Sequence, residues 1–131
     1  MNKTILFVDD DADDRDLLAD VLKNRNAGVN AVFAENGIKA IEYLRDNSPS
    51  QPRPCLIVLD LNMPMLDGRE TFSKIRNELN CSVPVIIFTS SQNPEDRSLF
   101  NSLGIEFITK PDEFARMNMI VDHMVDMCQV C

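Results

Sequence analysis

Segments that read as short buried strands alternate five times with segments of helical period, and this alternation constrains the fold more than any other feature of the chain. Apolar runs at residues 4–8, 55–59, 85–88 and 105–109 have strand length, and a weaker run lies at 29–34. Between them apolar residues recur at intervals of three and four. Leu17, Leu18, Val21 and Leu22 do so within 12–23, and Ile38, Ile41 and Leu44 follow the turn at Glu35, Asn36 and Gly37. Phe72, Ile75 and Leu79 form a stripe within 68–79, and a fourth helix opens at Asn93 and Pro94 and stops before Gly104. The last helix carries Phe114, Met117, Ile120, Val121, Met124 and Val125. Pro49, Pro52 and Pro54 make 46–54 a stiff polar connector, because proline cannot continue a helix. Strand and helix in strict alternation bury the strands in a parallel sheet with helices over both faces, an α/β fold.

What ends each run is as informative as the run itself. Residues 4–8 end in Asp9 and Asp10, 55–59 in Asp60, 85–88 in Thr89 and Ser90, and 105–109 in Lys110 and Pro111. Parallel strands bring all of these to one edge of the sheet, the carboxyl edge, where open α/β sheets bind ligands. Three neighbouring aspartates repel one another and raise each other's pKa unless a cation is present. Mg²⁺ suits them, since it takes oxygen ligands and is commonly held by one or two carboxylates plus phosphate oxygens. Asp60 is then placed to act as a carboxylate nucleophile that forms an acyl phosphate. Lys110 and Thr89 are placed to hold the other phosphoryl oxygens.

The sequences Phe-Val-Asp-Asp (7–10), Leu-Asp-Leu-Asn-Met-Pro-Met-Leu-Asp-Gly (59–68), Ile-Phe-Thr-Ser (87–90) and Phe-Ile-Thr-Lys-Pro (107–111) occur in the order found in receiver domains of two-component response regulators. Over essentially all 131 residues the chain resembles that family, in its stand-alone form typified by the chemotaxis response regulator. The resemblance implies a single receiver domain over 1–131 with a doubly wound, five-stranded parallel sheet, a (βα)5 flavodoxin-like arrangement with strand order 2-1-3-4-5 and helices on both faces. It makes Asp60 the phosphoacceptor, and Asp9, Asp10, Asp60 and the backbone carbonyl of Asn62 the Mg²⁺ ligands. Thr89 and Lys110 would contact the phosphoryl group, and Thr89 with Phe107 would form the switch. The Lys110–Pro111 bond would be cis, which the small trans preference before proline allows. Asn62 and Ser91 occupy positions that tune access of hydrolytic water. Short Ser91 gives little shielding, so a long-lived aspartyl phosphate is not expected. Phe107 lacks a tyrosine hydroxyl, so its switching must rest on burial of the ring.

The function implied is a signalling switch that accepts a phosphoryl group from a histidine kinase or histidine phosphotransfer protein. It would catalyse only its own phosphorylation and dephosphorylation. Its output would pass to a downstream protein, or to a second copy, through the face formed by the fourth helix, fifth strand and fifth helix. A net charge of −8, from 21 acids and 13 bases, disfavours nucleic acid and anionic membranes as partners. No apolar stretch reaches spanning length and the N-terminus is unlike a signal peptide, so a cytoplasmic protein is expected. Reduced thiols are expected at Cys55, Cys81, Cys128 and Cys131, and the Cys128/Cys131 spacing reads as incidental, without a second cysteine or histidine pair.

Rival readings fit less of the chain. The acids from Asp9 to Asp14 imitate a calcium loop, but Asp14 stands where that loop needs glycine, and a strand precedes them. Asp11, Asp13 and Asp14 then read as favourable charge in a first helical turn. A Mg²⁺-dependent phosphatase of the haloacid dehalogenase type would use Asp9 and Asp11, yet it leaves Asp60 without a role and has no cap segment. A binding module that works without phosphorylation would leave the whole acceptor set unused.

Overall fold

The computed structural model describes residues 3–25, 28–46 and 48–130. Five strands, β1 (Lys3–Val8), β2 (Val29–Ala34), β3 (Leu56–Leu59), β4 (Val85–Thr89) and β5 (Glu106–Thr109), form one parallel sheet in the order β2-β1-β3-β4-β5. The helices are α1 (Ala12–Arg25), α2 (Gly37–Arg45), α3 (Gly68–Ser73), α4 (Pro94–Ser102) and α5 (Phe114–Val130). This is the expected doubly wound fold, and none of the described helices is long and apolar enough to cross a membrane.

Alternation along each strand divides the core in two. Leu6, Val8, Ile57, Leu59, Val85 and Ile87 pack with Ala40 and Ile41 of α2, Ile75 and Phe100 on one face. Ile5, Phe7, Leu56, Val58, Ile86 and Phe88 pack with Leu18 and Val21 of α1 and Met117, Val121 and Met124 of α5 on the other. Central strands buried on both sides explain why their sequences are continuous apolar runs instead of alternating ones. Helix starts follow their capping residues. Asn36 accepts the Lys39 N–H at 2.8 Å, Asp67 the Glu70 N–H at 3.0 Å, and Asn93 the Glu95 N–H at 3.0 Å, with Pro94 in the first turn.

Two features depart from the sequence reading. The segment expected as one helix over 68–79 is α-helical only to Ser73 and then widens into a π turn at Lys74–Glu78, closed by the Leu79 N–H on the Lys74 carbonyl at 3.0 Å. Ile75, within this turn, is fully buried in the core. The thiols expected to be reduced include a bonded pair: Cys55, just before β3, and Cys128, near the end of α5, form a disulfide with their Cα atoms 5.2 Å apart. They are 73 residues apart, so nothing local in the sequence links them. Cys81 is free, and Cys131, with the end of the Cys128/Cys131 motif, lies outside the described residues.

Candidate functional site

Strand register builds the site. Val8 is paired with Leu59, so Asp9 and Asp60, one residue further on, stand side by side, and the Asp60 N–H donates to the Val8 carbonyl at 3.0 Å. Thr89 is paired with Thr109, so Lys110 follows immediately beyond, its N–H donating to the Thr89 carbonyl at 2.9 Å. By strand alternation Asp9, Asp60 and Lys110 continue the face of Phe7, Val58 and Ile108, which is the α1/α5 side. Thr89 continues the face of Ile87, on the opposite side.

The loop after β3 brings α3 close against Asp60. A Cβ at Gly68 would lie 2.2 Å from the Asp60 carbonyl oxygen and 2.6 Å from Leu61 Cα, so only glycine fits. The Gly68 N–H donates to the Leu61 carbonyl at 2.9 Å, which closes the loop, while Met65 takes a left-handed conformation at φ 68° within it. Asp60 Oδ1 then accepts the Leu61 N–H at 2.7 Å and, more weakly, the Asn62 N–H at 3.4 Å.

Carboxylate oxygens of Asp9, Asp10 and Asp60 all lie within 4.8 Å of one another. Asp9 and Asp60 are buried and Asp10 is exposed, so the cluster opens to solvent on one side. Oxygen donors of this kind, with an open side for water, suit a hard divalent cation. Lys110 Nζ lies 2.8 Å from Asp9 Oδ2, 2.8 Å from Asp14 Oδ2 and 3.2 Å from Asp60 Oδ2. Burial opposes the charge of this ammonium, but the hydrogen bonds to Asp14 and Asp9 and the field of Asp60 outweigh it and raise the lysine pKa. Asp9 is also shifted upward, chiefly by desolvation. Lys110 and the Asp11 N–H, which donates to Asp9 Oδ1 at 2.9 Å, counter this only in part.

Thr89 is fully buried, and its Oγ1 accepts the Ser91 N–H at 3.2 Å. Ser91 Oγ donates to Asp96 Oδ2 at 3.0 Å, and Asp96 is held by Arg69, whose Nε donates to Oδ1 at 2.8 Å and whose second nitrogen meets Oδ2. The Ser91 hydroxyl is therefore engaged by α4. Arg69 depresses the Asp96 pKa against the opposing effect of burial, and Ser91 adds to the depression. Phe107 is only 8% exposed, beneath the Arg97 guanidinium, which lies 4.7 Å from the ring centroid. The ring whose switching is expected to rest on burial is thus already inside, 6.4 Å from Phe100.

The expected cis bond between Lys110 and Pro111 is a correction: no peptide bond among the described residues is cis, and this one keeps the intrinsic trans preference of about 0.5–1 kcal/mol. Asn62 is exposed beside the cluster, and His123 is exposed and bonded to Glu106 at 2.8 Å, outside it. Sequence reasoning missed three participants. Asp14 read as helix-end charge but binds Lys110, while Arg69 and Asp96 are 27 residues apart with no shared period to betray their pairing.

Comparison with known proteins points the same way. Residues 5–122 match the family model of the response regulator receiver domain. The response regulator Rcp1 of Synechocystis sp. (strain ATCC 27184 / PCC 6803 / Kazusa) is 35% identical over 97 residues, 72% of this chain and 66% of Rcp1. The two-component response regulator ARR17 of Arabidopsis thaliana is 30% identical over 131 residues, 93% of this chain and 84% of that protein. Other relatives are longer: the chain spans 30% of a protein-glutamate methylesterase/protein-glutamine glutaminase of Syntrophomonas wolfei. Among solved structures, the phosphorylated cyanobacterial phytochrome response regulator RcpA superposes with a TM-score of 0.86 at 29% identity, over 98% of this chain and 95% of that one. The Mn²⁺-bound form of Rcp1 superposes with a TM-score of 0.81 at 30% identity, over 93% of this chain and 91% of that one.

Proposed function

The chain belongs to the response regulator receiver domain family, and from that premise we propose that it is a Mg²⁺-dependent switch whose phosphoacceptor is Asp60. Receiver domains are phosphorylated by histidine kinases, and we assign the donor here to a phosphohistidine of such a kinase or of a phosphotransfer protein. The observation that carries the assignment is the position of Asp60. Its side chain belongs to the carboxylate cluster, is held from behind by backbone N–H groups, and faces the Lys110 ammonium at 3.2 Å.

Asp60 Oδ1 is taken by the Leu61 and Asn62 N–H groups, which leaves Oδ2 as the attacking atom. Its lone pair forms the new O–P bond as the N–P bond of the phosphohistidine breaks and the imidazole leaves with the electron pair. Asp9, Asp10 and Asp60, with the Asn62 carbonyl, would hold the cation, which supplies positive charge against the repulsion between carboxylates and phosphoryl oxygens. Lys110 gives up its bond to Asp60 and takes a phosphoryl oxygen, a charge-assisted bond in a mostly buried setting. Thr89 must bring its hydroxyl over from the Ser91 N–H, and this movement pulls on the loop between β4 and α4.

Because Phe107 is already seated, the conformational change falls on that loop and on the Ser91–Asp96–Arg69 contact between α3 and α4. Output then leaves through α4, β5 and α5, where Met119 exposes apolar surface beside Ile108 and Ile120 to a downstream protein or a second copy. Incubation with Mg²⁺ and acetyl phosphate, followed by intact mass measurement, tests the assignment. One phosphoryl adduct is expected on the wild type and none on Asp60→Asn, and an undiminished adduct on the variant overturns it.

A further inference from the structure

Lys110 has three carboxylate partners, and they are not equivalent. Asp9 and Asp60 belong to the cluster whose oxygens lie within 4.8 Å of one another, whereas Asp14 lies outside it. Any cation in the cluster competes with the ammonium for Asp9 and Asp60, and phosphorylation converts the Asp60 carboxylate into an acyl phosphate, a mixed anhydride that no longer carries the carboxylate charge. Asp14 is subject to neither change. It stands in the first turn of α1, where Asp11 Oδ1 accepts the N–H groups of Asp13 and Asp14 at 2.9 and 3.3 Å. Its side chain is 29% exposed, against 11% for Lys110, so its charge keeps part of its hydration while reaching the ammonium at 2.8 Å. Strand alternation explains the meeting, since Lys110 projects to the side of the sheet covered by α1.

We propose that Asp14 is a positioning residue for phosphoryl transfer: it holds the Lys110 ammonium at the mouth of the carboxylate cluster when Asp9 and Asp60 are engaged elsewhere. This rests on Asp60 being the phosphoacceptor. A lysine side chain has four rotatable bonds and little intrinsic preference for one pose. With Asp14 as a fixed anchor, the ammonium needs only to exchange one oxygen for another as the donor's bond to phosphorus breaks, N–P in phosphohistidine or O–P in acetyl phosphate, and the Asp60 O–P bond forms. Without it, the lysine must be ordered during the reaction, at the expense of rate. The neighbouring Asp13 has the same charge, the same helical turn and an exposed position, with its N–H bound to Asp11. It separates a helix-end role from a lysine-anchoring one.

The test is the rate of single-adduct formation with acetyl phosphate and saturating Mg²⁺, followed by intact mass over a range of donor concentrations. The proteins compared are wild type, Asp14→Ala, Asp13→Asn, Lys110→Ala and the Lys110→Ala/Asp14→Ala double variant, each checked for folding by circular dichroism. Loss of one charge-assisted anchor is expected to slow the rate at saturating donor on the order of tenfold. Asp13→Asn should match wild type, and Asp14→Glu should recover part of the loss. In the Lys110→Ala background, removing Asp14 should change the rate by less than about twofold, because the two residues act as one unit. An unchanged rate in Asp14→Ala, or the same proportional loss with and without Lys110, overturns the proposal. If Asp14→Ala does not fold, Asp14→Asn carries the same comparison in both backgrounds. Absence of any adduct on wild type overturns the phosphoacceptor assignment itself, and the proposal with it; an adduct on wild type with no effect at Asp14 overturns the proposal alone.

Discussion

Replacing Gly68 with alanine should damage both stability and phosphorylation, and the size of the effect follows from the loop after β3. The added Cβ would lie 2.2 Å from the Asp60 carbonyl oxygen, 2.6 Å from Leu61 Cα and 2.9 Å from the Asp60 carbonyl carbon, all inside the 3.0 Å that real Cβ contacts observe. Every obstructing atom is backbone, so no side chain can rotate away. Either α3 retreats by close to an ångström, straining the Gly68 N–H bond to Leu61, or the Asp60 backbone shifts. Overpacking of this kind costs about 1–3 kcal/mol, and a rigid backbone obstacle puts Gly68→Ala at the upper end. For a domain of this size that is a fall in Tm of roughly 10 °C. Gly104→Ala is the comparison: its φ of 73° disfavours any side chain, but nothing lies within 4 Å, so only the conformational cost of about 1–2 kcal/mol applies. Thermal and urea unfolding followed by circular dichroism give the stabilities, and intact mass with acetyl phosphate gives the acceptor activity. Gly68→Ala should be the less stable and should lose most of its phosphorylation, while Gly104→Ala keeps it. If Gly68→Ala is as stable as Gly104→Ala and accepts phosphoryl groups at the wild-type rate, the close approach of α3 does not position Asp60.

Other perturbations separate the remaining contacts. Lys110→Met leaves Asp9 and Asp60 buried without their cation and should destabilise the Mg²⁺-free protein by about 3–5 kcal/mol, with part of the loss restored by added Mg²⁺ in thermal melts; a melting point unmoved by the substitution contradicts the charge clamp. The Asp96 pKa is depressed in the fold, so its ion pair contributes fully above the unfolded value near 3.9 and is lost as pH falls through the lower folded value. Arg69→Met should therefore flatten that acid limb in urea titrations at successive pH values, and an unaltered limb would show that the pair adds nothing. The Cys55–Cys128 bond closes a long loop, and the chain-entropy relation puts its contribution at about 4 kcal/mol. Alkylation under denaturing, non-reducing conditions should spare Cys55 and Cys128 while labelling Cys81, and reductant should lower Tm; labelling of both members of the pair without reductant rules the bond out.

Much of this protein was legible in order along the chain. Short continuous apolar runs placed all five strands and apolar residues recurring at three and four placed all five helices, because a strand covered on both faces or a helix covered on one writes its burial into neighbouring sequence positions. The strand ends then named Asp9, Asp10, Asp60, Thr89 and Lys110, and parallel pairing alone was enough to bring the first three carboxylates and the lysine to one edge. The π turn at Lys74–Glu78 escaped because a one-residue widening leaves the apolar stripe almost unchanged. The Lys110–Pro111 bond escaped because the free-energy gap between its isomers is too small for local sequence to decide.

Sequence by itself thus determined the elements, the sheet they build and the acids at its edge, since each depends on spacing between near neighbours. Only the tertiary structure decided that Asp14 shares Lys110, that Arg69 clasps Asp96, that Cys55 meets Cys128 and that Phe107 is already under Arg97. Those pairs join different elements, up to 96 residues apart, and are set by which faces the packed helices and strands present to one another. A periodic pattern specifies that a face is apolar; the packed arrangement of all the faces specifies which polar groups meet at their rims.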